Sequence, residues 1–176
     1  MPHQDVTPGD DAPNVVNLII EIQKGGRNKY ELDKNTGRLT LDRVHPVAMG
    51  YPADYGYVPG TLCEDGDPLD GLLIIDEPVA HNVVVPSRPI GVLYMVDDGE
   101  NDEKLICVAA DDISKSHIQD LSDLGDNFQK MVEHFYSHYK AWKKDWQGVD
   151  VHFNGWGDAA KAKQVIAESV ERLAKK

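Results

Sequence analysis

An α+β protein built on an antiparallel or mixed β-barrel is what this sequence predicts, and three observations carry the prediction. Short apolar runs bounded by Gly, Pro, Asp or Asn follow one another with no helices between them, which opposes a βαβ sheet. Helical periodicity is confined to the end of the chain, from Asp126 onward. No repeat or low-complexity linker interrupts the pattern, and 176 residues with 41% hydrophobic composition suit one domain, 1–176, with a single sizeable core.

Residues 1–14 are rich in Pro, Asp and Gly and predict a weakly ordered arm. Residues 15–22 are the first strand: Leu18, Ile19 and Ile20 in succession suit a strand buried on both faces. Glu21 inside that run needs a partner or a function, unless it sits at an exposed strand end. Segments 28–33 and 38–43, joined by Lys34, Asn35, Thr36 and Gly37, predict a β-hairpin whose period of two puts Lys29, Glu31 and Arg43 on one face. Gly25 and Gly26 before it lack the Walker spacing and precede a strand, so they are no phosphate loop. Residues 50–59 space Tyr51, Tyr55 and Tyr57 with Gly and Pro, the composition of an irregular extended segment. The phenols there are either core packing or donors to a neighbouring cleft.

Further strands are expected over 71–75, 82–85, 90–96 and 105–108. A helix then starts at Asp126, where Asp-Asn-Phe-Gln has the form of a capping box, and Phe128, Met131, Val132, Phe135, Tyr139 and Trp142 recur at helical spacing. Phe135, Tyr136 and Trp142 add apolar surface beyond one core stripe, which predicts a subunit interface there. His134 and His138 stand one turn apart, but Phe135 occupies the Glu position of a zinc-protease motif and no third His or Cys ligand is evident, so surface or interface histidines is the stronger reading. A last helix over 158–174 turns Val165, Ile166, Val170 and Leu173 inward.

Two acidic loops carry the chemistry. Glu64-Asp65-Gly66-Asp67-Pro68-Leu69-Asp70 packs four carboxylates into one turn that Gly and Pro keep out of a helix, and a buried strand follows it. The second loop, 97–103, lies between the strands 90–96 and 105–108. One acidic turn is as readily solvated as functional. Two such loops, each at a strand end, could meet at one end of a sheet, where their repulsion either raises some of their pKa values or requires cations, and hard oxygen donors suit Mg²⁺, Mn²⁺ or Ca²⁺. A net charge of −12 makes nucleic acid an unfavourable partner. Cys63 and Cys107 are the only cysteines, and no cationic leader or long apolar run opens the chain, which favours a soluble protein of a reducing compartment with no membrane partner.

Taken in order, Ile20-Glu21-Ile22, Asn28-Lys29-Tyr30-Glu31, Leu41-Asp42-Arg43, Tyr51-Pro52-Ala53-Asp54-Tyr55-Gly56, the Glu64 to Asp70 loop, Arg88-Pro89-Ile90-Gly91, Asp97 to Lys104 and His138-Tyr139-Lys140 resemble the family I soluble inorganic pyrophosphatases of the short bacterial and archaeal type. The resemblance implies an OB-like five-stranded β-barrel flanked by two α-helices, a cytoplasmic homohexamer, and hydrolysis of pyrophosphate to two orthophosphates by a metal-activated water. It implies several Mg²⁺ per subunit, with Mn²⁺ or Zn²⁺ as substitutes and Ca²⁺ as an inhibitor. Asp65, Asp70, Asp97 and Asp102 then correspond to metal ligands, with Glu21 and Glu31 reaching metals or their waters, and Asp67 to the base for the attacking water. Lys29, Arg43, Lys104, Tyr55, Tyr139 and Lys140 correspond to holders of the phosphoryl groups, and Tyr51 belongs to the same cleft. The family departs from this chain at 141–148, where a shorter connection containing Pro and Gly is expected.

These residue types have a chemical reason. Pyrophosphate brings several negative charges to a carboxylate cluster, so metals must bridge the two and can acidify a bound water, while Lys and Arg take the outward oxygens. Two other classes compete. A Ca²⁺-binding module is opposed by Leu69 and Asp70, which stand where an EF-hand has an oxygen ligand and then Gly, and by the lack of flanking helices. A non-catalytic OB-fold binding domain is opposed by the acidic balance.

Overall fold

The computed structural model describes residues 6–33, 35–146 and 150–176. Its strands are β1 (Val16–Ile22), β2 (Asn28–Leu32), β3 (Leu39–Val44), β4 (Asp54–Val58), β5 (Leu69–Ile74), β6 (Val84–Asp97), β7 (Glu100–Asn101), β8 (Lys104–Ala109) and β9 (Val151–Gly157), and its α-helices are α1 (Asp126–His138) and α2 (Ala159–Ala174).

β1 pairs antiparallel with both β4 and β6, which is why Leu18, Ile19 and Ile20 are all buried. β4 continues to β5, β5 runs parallel to β8, and β8 returns to β6, so five strands close a mixed ring, the expected barrel. β7 and β9 extend the far half of β6. β2 and β3 form the expected hairpin as a separate two-stranded sheet, with Lys29 directly opposite Arg43. Lys34 of its turn lies outside the described residues.

The buried side chains divide between the two helices. Val16, Leu18, Ile20, Leu69, Leu73, Leu105 and Cys107 pack with Ala162 and Ile166 of α2. Ile22, Leu72, Leu93, Met95 and Ile106 pack with Val132, Phe135 and Tyr136 of α1. Each fully buried Leu or Ile contributes about 1.5–3 kcal/mol of transfer free energy, so these two groups hold α1 and α2 to the ring.

Several expectations are corrected. Residues 50–59 are not irregular throughout, because β4 is a regular strand. Gly56 is needed there: a Cβ would lie 1.9 Å from the Ile19 carbonyl oxygen, so a glycine that reads as a breaker is what lets β1 approach. Segments 82–85 and 90–96 are not two strands but belong mainly to the 14-residue β6. Pro89 sits at an irregularity, where the register shifts between Pro89 and Gly91, and Pro86 still takes part through its carbonyl, which accepts from the Ala110 N–H at 2.8 Å. The capping box belongs to Asp120 and Asp123, around a 3₁₀ turn at Leu121–Leu124, whereas Gly125 precedes α1 and Asp126 is its first helical residue. Leu173 is 40% exposed, and Ala162 and Ser169 join Ile166 on the buried face of α2. Phe135 and Tyr136 are buried against this chain's own ring, so they present no apolar surface for a partner, while Met131, 47% exposed, lies on the outer side of α1.

The expected arm is described from residue 6. The Pro8 carbonyl accepts from the Asn17 N–H at 2.8 Å, and Asp11 and Asn14 close a turn. Beyond α1 a 3₁₀ turn covers Ala141–Lys144, and residues 147 and 148 of the departing segment lie outside the described residues. Among the described residues no helix is long and apolar enough to cross a membrane.

Candidate active site

One end of the ring opens into a cavity of about 700 Å³ that gathers almost every residue singled out in the sequence. Glu21, Lys29, Glu31, Tyr51, Tyr55, Asp65, Asp67, Asp70, Asp97, Asp102, Lys104, Tyr139 and Lys140 line it. Arg43 stands just outside, paired in register with Lys29 and donating from Nε to Asp42 at 2.6 Å.

The floor follows from strand pairing. Parallel register sets Asp70 on β5 beside Lys104 on β8. The Lys104 ammonium donates to Asp70 Oδ2 at 2.6 Å and to Asp102 Oδ1 at 2.7 Å. Tyr55 on β4 donates its phenol to the same Asp70 oxygen at 2.5 Å. Burial works against the Lys104 charge, but Asp70, Tyr55 and Asp102 outweigh it and hold the ammonium well above the ordinary lysine range. Burial pushes the Asp70 carboxyl up while Lys104 pulls against it. Asp65, on the loop before β5, is also pushed up, first by burial and then by the charges of Asp102, Asp67 and Asp70 against the hydrogen bond from the Asp67 N–H.

A second wall comes from β1 and the hairpin. Glu21 is 7% exposed and accepts from the Leu32 N–H at 3.0 Å. Burial pushes its pKa up to about 8, with Asp70 and Glu31 adding to the rise. Lys29 binds Glu31 on the same face of β2 and lies 3.6 Å from Asp42. The third wall is the end of α1, where Tyr139 donates to Asp97 Oδ2 at 3.3 Å and Lys140 pairs with the same oxygen. Tyr51, Tyr55 and Tyr139 are held well above the ordinary phenol range by burial, so each stays a hydroxyl donor near neutrality.

The second acidic loop is a tight hairpin between β6 and β7, with Asp98 and Gly99 at φ 50° and 86°. It turns Asp97 and Asp102 toward the floor. Strands β4 and β5, not helices, flank the first acidic loop, which removes the EF-hand alternative. His134 and His138 lie exposed on the outer face of α1, with the His138 Nδ1–H donating to the His134 carbonyl at 2.8 Å.

The donor set suits a hard cation. Glu21, Glu31, Asp65, Asp70, Asp97 and Asp102 offer only carboxylate oxygens, and the burial of Glu21 and Asp70 opposes their ionisation, a cost that a divalent ion relieves. Among the described residues no three such side chains form a closed metal cage. The Lys104 ammonium sits between Asp70 and Asp102, and Lys140 pairs with Asp97.

Sequence reasoning missed Tyr136, which also lines the cavity. Its signal was present: Val132, Tyr136 and Tyr139 lie four and then three residues apart, the spacing of one helix face.

The inorganic pyrophosphatase family model matches residues 18–174. A relative named inorganic pyrophosphatase from Corynebacterium efficiens is 49% identical over 157 residues, 89% of this chain and 97% of the relative. The solved inorganic pyrophosphatase of Thermus thermophilus superposes with a TM-score of 0.93 at 40% identity, covering 99% of each chain. That of Neisseria gonorrhoeae superposes with a TM-score of 0.90 at 40% identity over 98% of each.

Proposed function

The chain belongs to the inorganic pyrophosphatase family, and from that premise we propose that it hydrolyses inorganic pyrophosphate to two orthophosphates with Mg²⁺ as its activating metal. The observation that carries the reading is the gathering of eight carboxylates, the seven named above and Asp33, with three lysines and a wall of tyrosine hydroxyls in one cavity of about 700 Å³. Carboxylates alone would repel a polyanion and cations alone would bind it without activating water, so the mixture points to metal-assisted phosphoryl transfer to water.

Asp65, Asp70, Asp97 and Asp102 would hold the metals, and Glu21 and Glu31 the metals or their waters. Bound there, divalent ions would supply charge neutralisation and an acidified water. Asp67, on the loop that carries Asp65, takes the proton of the attacking water. Lys29, Arg43, Lys104 and Lys140 bind the phosphoryl oxygens and neutralise the charge that grows on the leaving phosphate, while Tyr51, Tyr55 and Tyr139 orient the substrate through their hydroxyls. Mn²⁺ or Zn²⁺ substitutes for Mg²⁺, whereas Ca²⁺ inhibits because its larger, looser coordination misplaces the reacting groups.

Residues 1–176 are read as one catalytic domain, working in the cytoplasm as a homohexamer by family resemblance. The exposed Met131, beside His134 and His138 on the outer side of α1, supports an interface on that face. The test is phosphate release from pyrophosphate with Mg²⁺, with Ca²⁺ and in excess EDTA. Turnover is expected with Mg²⁺ alone, and full activity in EDTA would overturn the reading.

A further inference from the structure

Tyr136 is 1% exposed and lines the cavity, yet its hydroxyl has no hydrogen-bond partner among the described residues. A buried hydroxyl without a partner is unfavourable, and a site that keeps one usually uses it in another state of the protein. The Tyr136 ring packs edge-on against Phe135 and Tyr139, so the side chain has no slack to turn its hydroxyl elsewhere. The charged groups that act on it are Lys104, Asp70 and Asp102, all of the cavity floor.

Lys104 lies between two tyrosines, its ammonium 5.5 Å from the Tyr55 ring centre and 5.9 Å from that of Tyr136. The two differ in what their hydroxyls do. Tyr55 is engaged by Asp70, whereas the Tyr136 oxygen is uncommitted. An ammonium has three donors and needs acceptors for them. Two of the three go to Asp70 and Asp102, the carboxylates assigned above to metal, and the third reaches the Tyr55 hydroxyl at 3.4 Å. A divalent ion held by those carboxylates would draw them away from the ammonium, and each bond that Lys104 then gave up would need another acceptor. Phosphoryl oxygens supply some. A neutral hydroxyl is a suitable further partner, because it holds the ammonium without cancelling the charge that the phosphoryl group needs.

We propose that Tyr136 is a positioning residue of this site: its hydroxyl accepts an N–H from Lys104 when Asp70 and Asp102 turn to divalent cations, and so aims Lys104 at a phosphoryl oxygen. The inference rests on the pyrophosphatase reading.

The test is Tyr136→Phe, which removes only the oxygen. Three quantities are measured: the melting temperature of the metal-free protein, kcat and KM for pyrophosphate at saturating Mg²⁺, and the same constants in a Lys104→Met background, or Lys104→Gln if Met does not fold. The metal-free variant is expected to melt at or above the wild-type temperature, since it loses an unpaired buried group. Its kcat/KM is expected to fall about tenfold, the worth of one hydrogen bond to a charged group, mostly through kcat. In the Lys104 variant the second substitution is expected to cost nothing further. Wild-type kinetics in Tyr136→Phe overturn the inference, as do a tenfold loss that persists without Lys104 or a melting temperature that falls without metal. A wild-type protein that releases no phosphate overturns the pyrophosphatase reading itself, and this inference with it.

Discussion

Two sets of lysine and carboxylate side chains face the same cavity from different scaffolds. Lys104, Asp70 and Asp102 form a floor on adjacent strands of the closed ring, and the Lys104 side chain is 5% exposed. Lys29, Glu31, Arg43 and Asp42 form a rim on a hairpin outside the ring, where the Lys29, Arg43 and Asp42 side chains are half-buried and the Glu31 side chain is 51% exposed. The chemistry is the same and the energetics are not. Removing one member of the floor leaves a charge uncompensated in a poorly solvated place, which is costly, whereas an exposed pair is worth about 0–1 kcal/mol because water replaces the partner. The floor therefore serves as a preorganised frame, and the rim can give up its internal pairs to a ligand at little cost.

The largest expected effect tests where in the floor the chemistry sits. Asp67, on the exposed loop, and Asp70, on β5, are three residues apart. Asp67→Asn is expected to lower kcat by about 10²–10⁴ fold with little change in Mg²⁺ requirement, the usual worth of a general base. Asp70→Asn is expected to demand far more Mg²⁺ and to recover part of its rate at high metal. A Mg²⁺ titration of both variants at saturating pyrophosphate checks this, and rescue of Asp67→Asn rather than Asp70→Asn would reverse the two roles.

Lys104→Met tests the floor's frame directly. Without metal, Asp70 and Asp102 would face each other with no cation between them, and the loss is expected to be about 3 kcal/mol, the lower end for breaking a buried pair because Asp70 keeps the Tyr55 hydroxyl and is 25% exposed to the cavity. Mg²⁺ is expected to restore much of that stability, since a dication substitutes for the missing ammonium. Thermal melts with and without Mg²⁺ decide it, and a loss that Mg²⁺ leaves unchanged would mean that the floor is not the metal site.

The rim variant Lys29→Met is expected to cost less than about 1 kcal/mol in stability and to raise KM for pyrophosphate instead. Denaturant unfolding and steady-state kinetics on the same sample separate the two. A stability loss as large as that of Lys104→Met would erase the distinction between floor and rim.

The same contrast governs what could be read from the sequence. The rim is local: strands 28–33 and 38–43 are joined by a short turn, so Lys29, Glu31 and Arg43 share a face by period alone. The floor joins Asp70 to Lys104 across 34 residues through a parallel pairing that no local pattern announces. The two acidic loops that hold Asp70 and Asp102 were legible as strand-end clusters, whereas Lys104 between them was legible only through family resemblance. Tyr136 was misplaced because, with Phe135 and Trp142, it read as surplus apolar surface, when Phe135 and Tyr136 are both buried in one cluster with Val132 and Tyr139. Gly56 and the prolines of β6 misled for a different reason, since close approach and a bulge look like chain breaks when the partner strand is unseen.

The smallest expected effect lies at the seam between rim and floor. His45 follows β3, is 2% exposed, donates its Nδ1–H to the Tyr139 carbonyl at 3.1 Å and stacks on the Tyr139 ring at 5.5 Å. Its backbone N–H bonds the Arg27 carbonyl at 2.9 Å, so it ties the hairpin to the end of α1. Burial lowers its pKa, the Tyr139 carbonyl opposes that, and the positive charges of Arg43, Lys29 and Lys143 reinforce it. The lowered direction sets the sign. Above the ordinary histidine pKa both folded and unfolded chains hold it neutral, and it gives no pH dependence. As pH falls below about 6.5 the unfolded chain takes up a proton that the folded one refuses, so this stability is lost progressively toward the folded pKa, at no more than about 1.4 kcal/mol per pH unit. Glu21, with its raised pKa, acts in the opposite direction, losing stability as pH rises from 4.5 toward about 8, so the whole-protein curve would conceal His45. The difference between wild type and His45→Gln isolates it: unfolding free energies measured from pH 7.5 to pH 5 are expected to converge as pH falls. Parallel curves would show that His45 is protonated as easily in the fold as outside it, and that the seam carries no buried neutral imidazole.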